Sequence, residues 1–146
     1  MDEKDEKIIK ILQENAKLST QEISKKTLIP ITTVHNRIKR LEKDGIIKGY
    51  TVNLDNAKVG KGMTAYTLIS IDYNVLKQAK MGQEELAKKL KSYDEVVELD
   101  LVTGSVDMII KIRVRDMKEM DRFVTHTLRG HKGVGATQTL MVLHEL

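Results

Sequence analysis

Apolar residues in the first part of the chain recur every three to four positions, which is the spacing of amphipathic helices. The pattern predicts helices over roughly 3–15, 20–26 and 31–44. Asp2 stands where its carboxylate can cap the first of these helices. Three short helices are the minimum core of a helix-turn-helix unit. The side chains predicted to be buried in the first helix are Ile8, Ile9, Ile11 and Leu12.

Local cap signals bound the second and third helices. Ser19 is followed three residues later by Glu22, a capping-box pattern that satisfies free backbone N–H groups at a helix start. The third helix is predicted to begin near Pro30, because a proline at a helix start loses no hydrogen bond. It is predicted to stop at Gly45, the residue type that most readily adopts a left-handed C-cap.

A strand is predicted over residues 46–54, directly after the third helix. Asp55-Asn56 and the stretch Gly60-Lys61-Gly62 interrupt this strand, because these residue types favour turns. We therefore expect a first domain over 1–54, a linker over 55–62 and a second domain over 63–146.

The second half of the chain changes to the alternating period of strands. Two apolar helices separate the predicted strands, in the order β-α-β-β-α-β of a ferredoxin-like fold. The predicted fold class is therefore α+β. The predicted elements are a strand over 63–73, a helix near 82–92, strands over 96–103 and 106–114 joined by the turn Gly104-Ser105, a helix from Asp116 to about 129, and a strand over 136–144.

The third helix carries one apolar and one polar face. Val34, Ile38 and Leu41 lie in one narrow stripe, which we expect to face the core. Side chains of the other face suit DNA, because Asn, Arg and Thr bond to base edges and Lys neutralises phosphate. A solvated amphipathic helix has the same pattern, but the companion helix and trailing strand favour DNA recognition. The opposite face carries Thr32, Asn36, Lys39, Arg40 and Lys43, with His35 and Arg37 on its flanks.

These residues divide into two predicted roles. Base readout is assigned to Asn36 and Arg40, with Thr32 and Thr33 assisting. Phosphate contacts are assigned to Arg37, Lys39 and Lys43, with Lys48 as a further candidate and His35 at the edge of the surface.

Charge sets the two halves of the chain apart. Residues 1–62 hold 13 Lys/Arg against 9 Asp/Glu, whereas residues 63–146 hold 12 of each. A basic half joined to a neutral half favours a nucleic-acid module that carries a second function. The chain has no cysteine, which excludes disulfides and thiolate metal sites. The first residues are charged, so we expect no signal peptide, and no apolar run approaches the ~20 residues that span a bilayer.

Taken together, the residues resemble the Lrp/AsnC (leucine-responsive, feast/famine) family of transcription regulators. The resemblance covers essentially the whole chain, and the ordered set of segments is specific although each segment alone is weak. The matching segments are 7–13, 19–24, 33–42, 45–50 and 103–107, and Gly133-Val134 followed by Thr137 and Thr139.

The resemblance implies a winged helix-turn-helix domain joined to a βαββαβ regulatory domain of the RAM type. It implies a homodimer formed mainly through sheets of the second domain, with tetramers or octamers as larger assemblies. The strand at 46–54 would pair with its equivalent in the partner chain. Double-stranded DNA is the expected partner, the basal transcription machinery a further candidate, and the cytoplasm the expected location.

The resemblance also implies a small effector, commonly an amino acid, bound where dimers meet; no other cofactor is expected. An amino acid needs N–H donors for its carboxylate and an acceptor for its ammonium, and Gly104 and Asp107 supply these chemistries. The open alternative is that the turn is only a hairpin capped by Asp107. The residues assigned to the effector are Gly104, Ser105, Asp107, Thr137 and Thr139.

One residue departs from the family pattern. The position before the recognition helix is usually a capping Ser, and this chain has Pro30 there. Because proline has no side-chain oxygen, Thr32 or Thr33 is expected to take over contacts at that end.

Enzymatic function is not expected. The four histidines lack metal-ligand spacing, and no glycine cluster has the spacing of a phosphate-binding loop. His126 and Asp121 are close enough for acid–base work, but any surface helix has such pairs. The favoured function is a sequence-specific DNA-binding regulator that responds to a small molecule. The alternatives are an architectural protein that wraps DNA with low specificity and a small-molecule sensor that binds no DNA.

Overall fold

The computed structural model describes all 146 residues and divides into two compact units, residues 1–53 and 54–146. The first unit contains three helices: α1 (Glu3–Glu14), α2 (Thr20–Thr27) and α3 (Ile31–Lys43). Each boundary lies within one residue of the sequence-based prediction, because local periodicity and caps determine where these helices begin and end.

The core of the first unit is a small apolar cluster shared by the three helices. Ile8, Ile23, Ile29 and Val34 are buried there. Leu41, in the last turn of α3, is also fully buried. Of the positions predicted to be buried in α1, only Ile8 is fully buried. Ile11 and Leu12 are half-buried at the edge of the cluster, and Ile9 is half-buried outside it.

The predicted caps are confirmed. The Asp2 carboxylate accepts the N–H groups of Lys4 and Asp5, and Ser19 and Glu22 form a reciprocal capping box. Gly45 has a φ of +70° after the end of α3. The N–H of Ile46 then donates to the carbonyl of Leu41 at 2.9 Å, which closes the helix in a Schellman motif.

The turn between α2 and α3 is unusual in its residues. Leu28 ends α2 in the left-handed region with a φ of 58°, although its side chain is 91% exposed and packs against little. Pro30 is the N-cap of α3 and provides no side-chain hydrogen bond. Neither Thr32 nor Thr33 replaces this cap, so the first N–H groups of α3 have no side-chain partner.

Within the single chain, residues 46–54 contain no strand. A strand needs a hydrogen-bonded neighbour, and no other segment of the chain pairs with this one. Its apolar side chains remain exposed: Ile46 at 48%, Tyr50 at 53%, Val52 at 73% and Leu54 at 52%.

The second unit is a four-stranded antiparallel sheet with helices packed on it. The strands are β1 (Met63–Ile71), β2 (Val96–Leu101), β3 (Met108–Val114) and β4 (Val134–Met141), in the spatial order β2-β3-β1-β4. The helices are α4 (Tyr73–Gln78), α5 (Gln83–Lys91) and α6 (Met117–Arg122), which continues as a π-helical segment over Phe123–Leu128. The predicted βαββαβ order is therefore confirmed, with α4 as an additional short helix.

Each strand differs from the prediction at one or both ends, and β2 stops at Leu101 rather than 103 while β3 begins at Met108 rather than 106. The first strand stops at Ile71 rather than Tyr73, because the Asp72 carboxylate accepts the N–H of Val75 and starts α4. The last strand runs over Val134–Met141 rather than 136–144, because the backbone pairing with β1 begins opposite Ile71.

One face of the sheet forms the core of the second unit. Alternate residues of β1 and β3 point toward α5 and α6, and Ile69, Ile110 and Ile112 are fully buried among them. The next residues along each strand face the other way, where Tyr66 is 37% exposed beneath the Lys111 ammonium.

None of the helices has the length and apolar character that would be needed to span a membrane.

Candidate nucleic-acid interface

The outer face of α3 is a continuous polar surface. Burial of Val34 and Leu41 determines the rotation of the helix, so that the residues half a turn away face solvent. This surface mixes neutral hydrogen-bonding side chains near its start with lysines toward its end, and we call it the recognition surface. Its exposed residues are Thr32, His35, Asn36, Lys39, Arg40 and Lys43.

Two of the residues predicted to bind DNA lie at the border of the recognition surface. Thr33 is half-buried in the first turn of α3. Arg37 is also half-buried, and its guanidinium is held by two carboxylates of α1. One Arg37 nitrogen, Nη1, lies 2.7 Å from the Asp2 carboxylate and 2.8 Å from that of Asp5. Arg37 therefore joins α1 to α3, and all of its ion pairs are made through Nη1.

Arg40 contacts the same carboxylate cluster from the solvent side. Its Nη2 lies 2.6 Å from Oδ2 of Asp5. The Arg40 side chain is 50% exposed, whereas that of Asp5 is 1% exposed. The Asp5 carboxylate also accepts the backbone N–H of Asp2, so both of its oxygens are engaged.

The arginines control the ionisation of both carboxyls. The hydrogen bond from Arg37 lowers the pKa of Asp2 to about 2, with a further contribution from the N–H of Asp5. Burial by itself raises the pKa of Asp5, but the Asp2 N–H and the two guanidinium groups outweigh burial and hold it below the ordinary value. The pKa of Arg37 is raised by the same hydrogen bonds.

These shifts predict a specific loss of stability in acid. Because folding lowers the Asp2 pKa from 3.8 to about 2, the stabilisation is complete above pH ~4 and is lost as the pH falls toward 2. Asp2→Asn retains the cap but not the charge, so its urea midpoint should fall less steeply than the wild-type midpoint between pH 4 and 2. Glu6→Gln on the same exposed side of α1 is the control, and equal slopes for Asp2→Asn and wild type contradict the prediction.

The segment after α3 is tied back to the recognition helix. The Tyr50 hydroxyl donates to the Glu42 carboxylate at 2.7 Å. Burial, and then the hydrogen bond with Glu42, raises the pKa of Tyr50. Lys48 lies between these anchors with an exposed side chain. The hydrogen bond between Tyr50 and Glu42 orients residues 46–50 relative to the end of α3.

In the second unit, Gly104 and Ser105 are exposed in the turn between β2 and β3, where Gly104 has a φ of +119°. Asp107, at the end of this turn, is half-buried and bonded within the unit. Its Oδ2 accepts the backbone N–H of Ile71 at 2.8 Å, and its Oδ1 accepts the hydroxyl of Tyr73 at 3.1 Å. Asp107 thus attaches the turn to β1 and α4. The remaining lone pairs of its carboxylate are available to accept further hydrogen bonds.

The two threonines of β4 lie on the other side of β1. Thr137 pairs with Ile69 of β1, and the carbonyl of Ile69 accepts the N–H of Asp107. One strand therefore separates the turn from Thr137, a distance of about 10 Å between outer strands. Thr137 accepts a hydrogen bond from Nε of Arg129 at 3.1 Å, and the Thr139 hydroxyl lies 3.1 Å from that of Thr67.

Three residues that take part in these contacts were not predicted from the sequence: Asp5, Tyr73 and Gln83. Asp5 had a detectable signal, because an acidic residue three positions before Ile8 occupies the apolar stripe of α1. Tyr73 and its second partner, Gln83, had none, since their contact depends on α4, a helix that was not predicted. No group of three or more acidic, histidine or cysteine side chains is arranged to hold a metal ion.

Known proteins match both units. Residues 1–48 match the winged helix-turn-helix DNA-binding model, and residues 64–146 match the Lrp/AsnC ligand-binding domain. The HTH-type transcriptional regulator FL11 of Pyrococcus horikoshii is 38% identical over 144 residues, which cover 98% of this chain and 89% of that protein.

Solved structures extend the match to the whole chain. A transcriptional regulator from Neisseria meningitidis, in complex with L-methionine, has a TM-score of 0.90 and 32% identity, covering 100% of this chain and 92% of that one. AsnC of E. coli has the same fold, with a TM-score of 0.83 at 23% identity over 99% of this chain and 93% of that one.

Proposed function

The chain belongs to the Lrp/AsnC family of helix-turn-helix transcription regulators, and on this premise we propose which residues bind DNA and which bind an effector. The protein is a DNA-binding transcription regulator, and its family has no catalytic role, so it is not an enzyme. The single observation behind the DNA assignment is the recognition surface, whose polar residues face solvent while Val34 and Leu41 are buried.

In the proposed complex, α3 lies in the major groove. Thr32, Thr33 and Asn36, near the start of the helix, contact base edges, as does Arg40 one turn later. Lys39, Lys43 and Lys48 contact phosphates, with His35 at the margin. Arg37 is removed from the phosphate contacts, because the carboxylates of Asp2 and Asp5 already neutralise it. A cytoplasmic location is proposed for a regulator of this family.

A specific regulator is favoured over a protein that wraps DNA without sequence preference. Asn and Thr side chains on the groove-facing part of α3 add little to phosphate attraction but bond directionally to bases. A surface built only for phosphate would carry cations at Thr32 and Asn36.

An amino acid is the proposed effector. The Neisseria relative, 32% identical over the full length, was solved with L-methionine. In this chain the candidate contacts are the backbone around Gly104 and Ser105 and the side chains of Asp107, Thr137 and Thr139. Asp107 also supports the turn through Ile71 and Tyr73, so it both shapes the site and offers an acceptor to an ammonium group.

A homodimer is the proposed basic assembly, with tetramers or octamers built from it. Support comes from the apolar side chains at 46, 50, 52 and 54, which alternate along an exposed segment that has no strand partner. An equivalent segment of a second copy would provide the missing hydrogen bonds. Contacts with the basal transcription machinery would follow from binding near promoters.

Selection of bound duplexes from random DNA tests the regulator, repeated with each of the twenty amino acids. We expect enrichment of a palindromic site with half-sites about one helical turn apart, and affinity that falls steeply with salt. One amino acid should change both the enriched spacing and the size distribution by light scattering. Binding without enrichment would indicate a wrapping protein, and salt-independent or absent binding would contradict the DNA role. No response to any amino acid would contradict the effector.

A further inference from the structure

Asp5 is the most deeply buried charged residue of the chain and has no role in the DNA or effector sites described above. Its side chain is fully buried on the inner side of α1, where it accepts hydrogen bonds from the backbone N–H of Asp2 and from Arg37 and Arg40. Two of its partners are arginines of the recognition helix, which lie 32 and 35 residues later in the chain. A buried carboxylate of this kind links the orientation of α1 to the side chains of α3.

The two arginines differ in how far their charge is neutralised and how much of their side chain is exposed. Arg37 is 19% exposed and has carboxylates from both Asp2 and Asp5, so its charge is neutralised. Arg40 has only the single bond from Nη2 to Asp5, and half of its side chain is exposed. A guanidinium has five N–H donors in one plane, and the bond to Asp5 uses one hydrogen of Nη2, so the second Nη2 hydrogen can still form a fork with a neighbouring N–H of Arg40.

Arg40 is an exposed residue of the recognition surface. Arg40 follows Asn36 by four residues, which separates the two side chains by about 40° around the helix. An unrestrained arginine samples many rotamers and loses that freedom on binding. Because Asp5 is buried and both of its oxygens are engaged, its bond to Nη2 restricts the rotamers of Arg40 before any DNA arrives.

We propose that Asp5 is a positioning residue, which orients the guanidinium of Arg40 for a paired hydrogen bond to DNA acceptors. The acceptors are the O6 and N7 atoms of a guanine, which a planar fork fits. The proposal rests on the DNA-binding role of α3, and it adds a residue of α1 to the elements that control sequence preference.

A double-mutant cycle tests the proposal with the full-length chain. Affinities of wild type, Asp5→Asn, Arg40→Ala and the double variant are measured for a duplex selected from random DNA and for a scrambled duplex of equal length. The ratio of the two affinities removes the uniform effect of the lost negative charge. Glu6→Gln, which removes an exposed carboxylate of α1 that makes no ion pair, is the matched control.

We expect Arg40→Ala to lower the ratio roughly 5- to 150-fold, the range for one paired base contact. Asp5→Asn should lower it several-fold in the wild-type background and not at all in the Arg40→Ala background. Glu6→Gln should leave the ratio unchanged. A fall with Asp5→Asn that persists without Arg40 assigns Asp5 to the fold alone and overturns the proposal, as does an unchanged ratio in Asp5→Asn.

Modified DNA identifies the acceptor. Replacement of single guanines by 7-deazaguanine removes N7, and methylphosphonate substitution removes one phosphate charge. Loss of the Arg40 contribution with the first assigns guanine as the acceptor, whereas loss with only the second, or with neither, overturns the proposal.

The same set of variants also shows whether Asp5→Asn folds and whether the wild-type protein binds DNA. Urea unfolding reports whether Asp5→Asn folds; if it does not, Arg40→Lys keeps the charge and removes the fork, and it should lower the ratio as Arg40→Ala does. An unchanged ratio in Arg40→Lys overturns the proposal. Wild-type protein that does not bind DNA refutes the DNA role itself, whereas specific wild-type binding with an unaffected Asp5→Asn refutes only the positioning.

Discussion

Replacement of Asn36 with alanine is expected to reduce the preference for a selected duplex over scrambled DNA roughly 5- to 150-fold, with little loss of affinity for scrambled DNA. An asparagine amide that donates to and accepts from an adenine edge contributes about 1–3 kcal/mol of discrimination. The Asn36 side chain is exposed on the recognition surface, one turn after Thr32, and pairs with no residue of the chain. Competition binding with both duplexes at one salt concentration measures the change.

Lys43→Ala is the contrasting variant at the other end of α3. A phosphate contact carries no sequence information, so both duplexes should bind more weakly by the same factor. The slope of log affinity against log salt should become less steep by about 0.9, as expected for one contact fewer. Lys132→Ala removes an exposed lysine from the second unit and serves as the control. Similar behaviour of Asn36→Ala and Lys43→Ala would contradict the division between base-reading and phosphate-binding residues.

Gly133→Ala is expected to destabilise the second unit by about 2–5 kcal/mol, from overpacking together with a disfavoured backbone conformation. Gly133 has a φ of +94°, and an added Cβ would lie 2.4 Å from Cδ2 and 2.7 Å from Cγ of Leu76. Leu76 is itself 3% exposed, so it has no free space into which to move. The Gly133 carbonyl also accepts the N–H of Asp72, which ties the start of β4 to the start of α4.

Urea unfolding of matched glycine variants isolates the cause. Gly82→Ala is the control, because a Cβ there meets no atom within 4 Å and the φ of −87° suits any residue. Leu76→Ala combined with Gly133→Ala should cost less than the sum of the two changes, since the smaller side chain removes the clash but not the backbone strain. Equal unfolding midpoints for Gly133→Ala and Gly82→Ala would refute the close packing.

The helices of the first unit could be predicted from local sequence, whereas the structure of residues 46–54 depends on a partner strand. Ser19 and Glu22 satisfy each other within one turn, and Gly45 closes α3 through a bond to Leu41, so these signals are complete within a few residues. The apolar residues of 46–54 have the pattern of a strand as well, but a strand exists only beside another. Within one chain this segment has no partner, so its pairing with a second chain stays a prediction.

The recognition helix shows the same division at the level of single side chains. Its buried stripe and exposed surface follow from the 3.6-residue period, which is why Thr32, Asn36, Lys39 and Lys43 were correctly predicted to face solvent. The neutralisation of Arg37 depends on carboxylates more than thirty positions away. Since charge alone made Arg37 equivalent to Lys39, the sequence could not tell the two apart.

By itself the sequence determined the βαββαβ order, the three helices before it and the separation of a basic half from a neutral half. These features depend on periodicity, caps and composition, which act over a few residues or over the whole chain without regard to partners. Only the tertiary structure decided that Asp5 holds Arg37 and Arg40, that Asp107 supports Ile71 and Tyr73, and that residues 46–54 have no partner. The physical reason is distance along the chain, since a hydrogen bond between residues 32 to 36 positions apart exists only after the backbone has brought its two ends together.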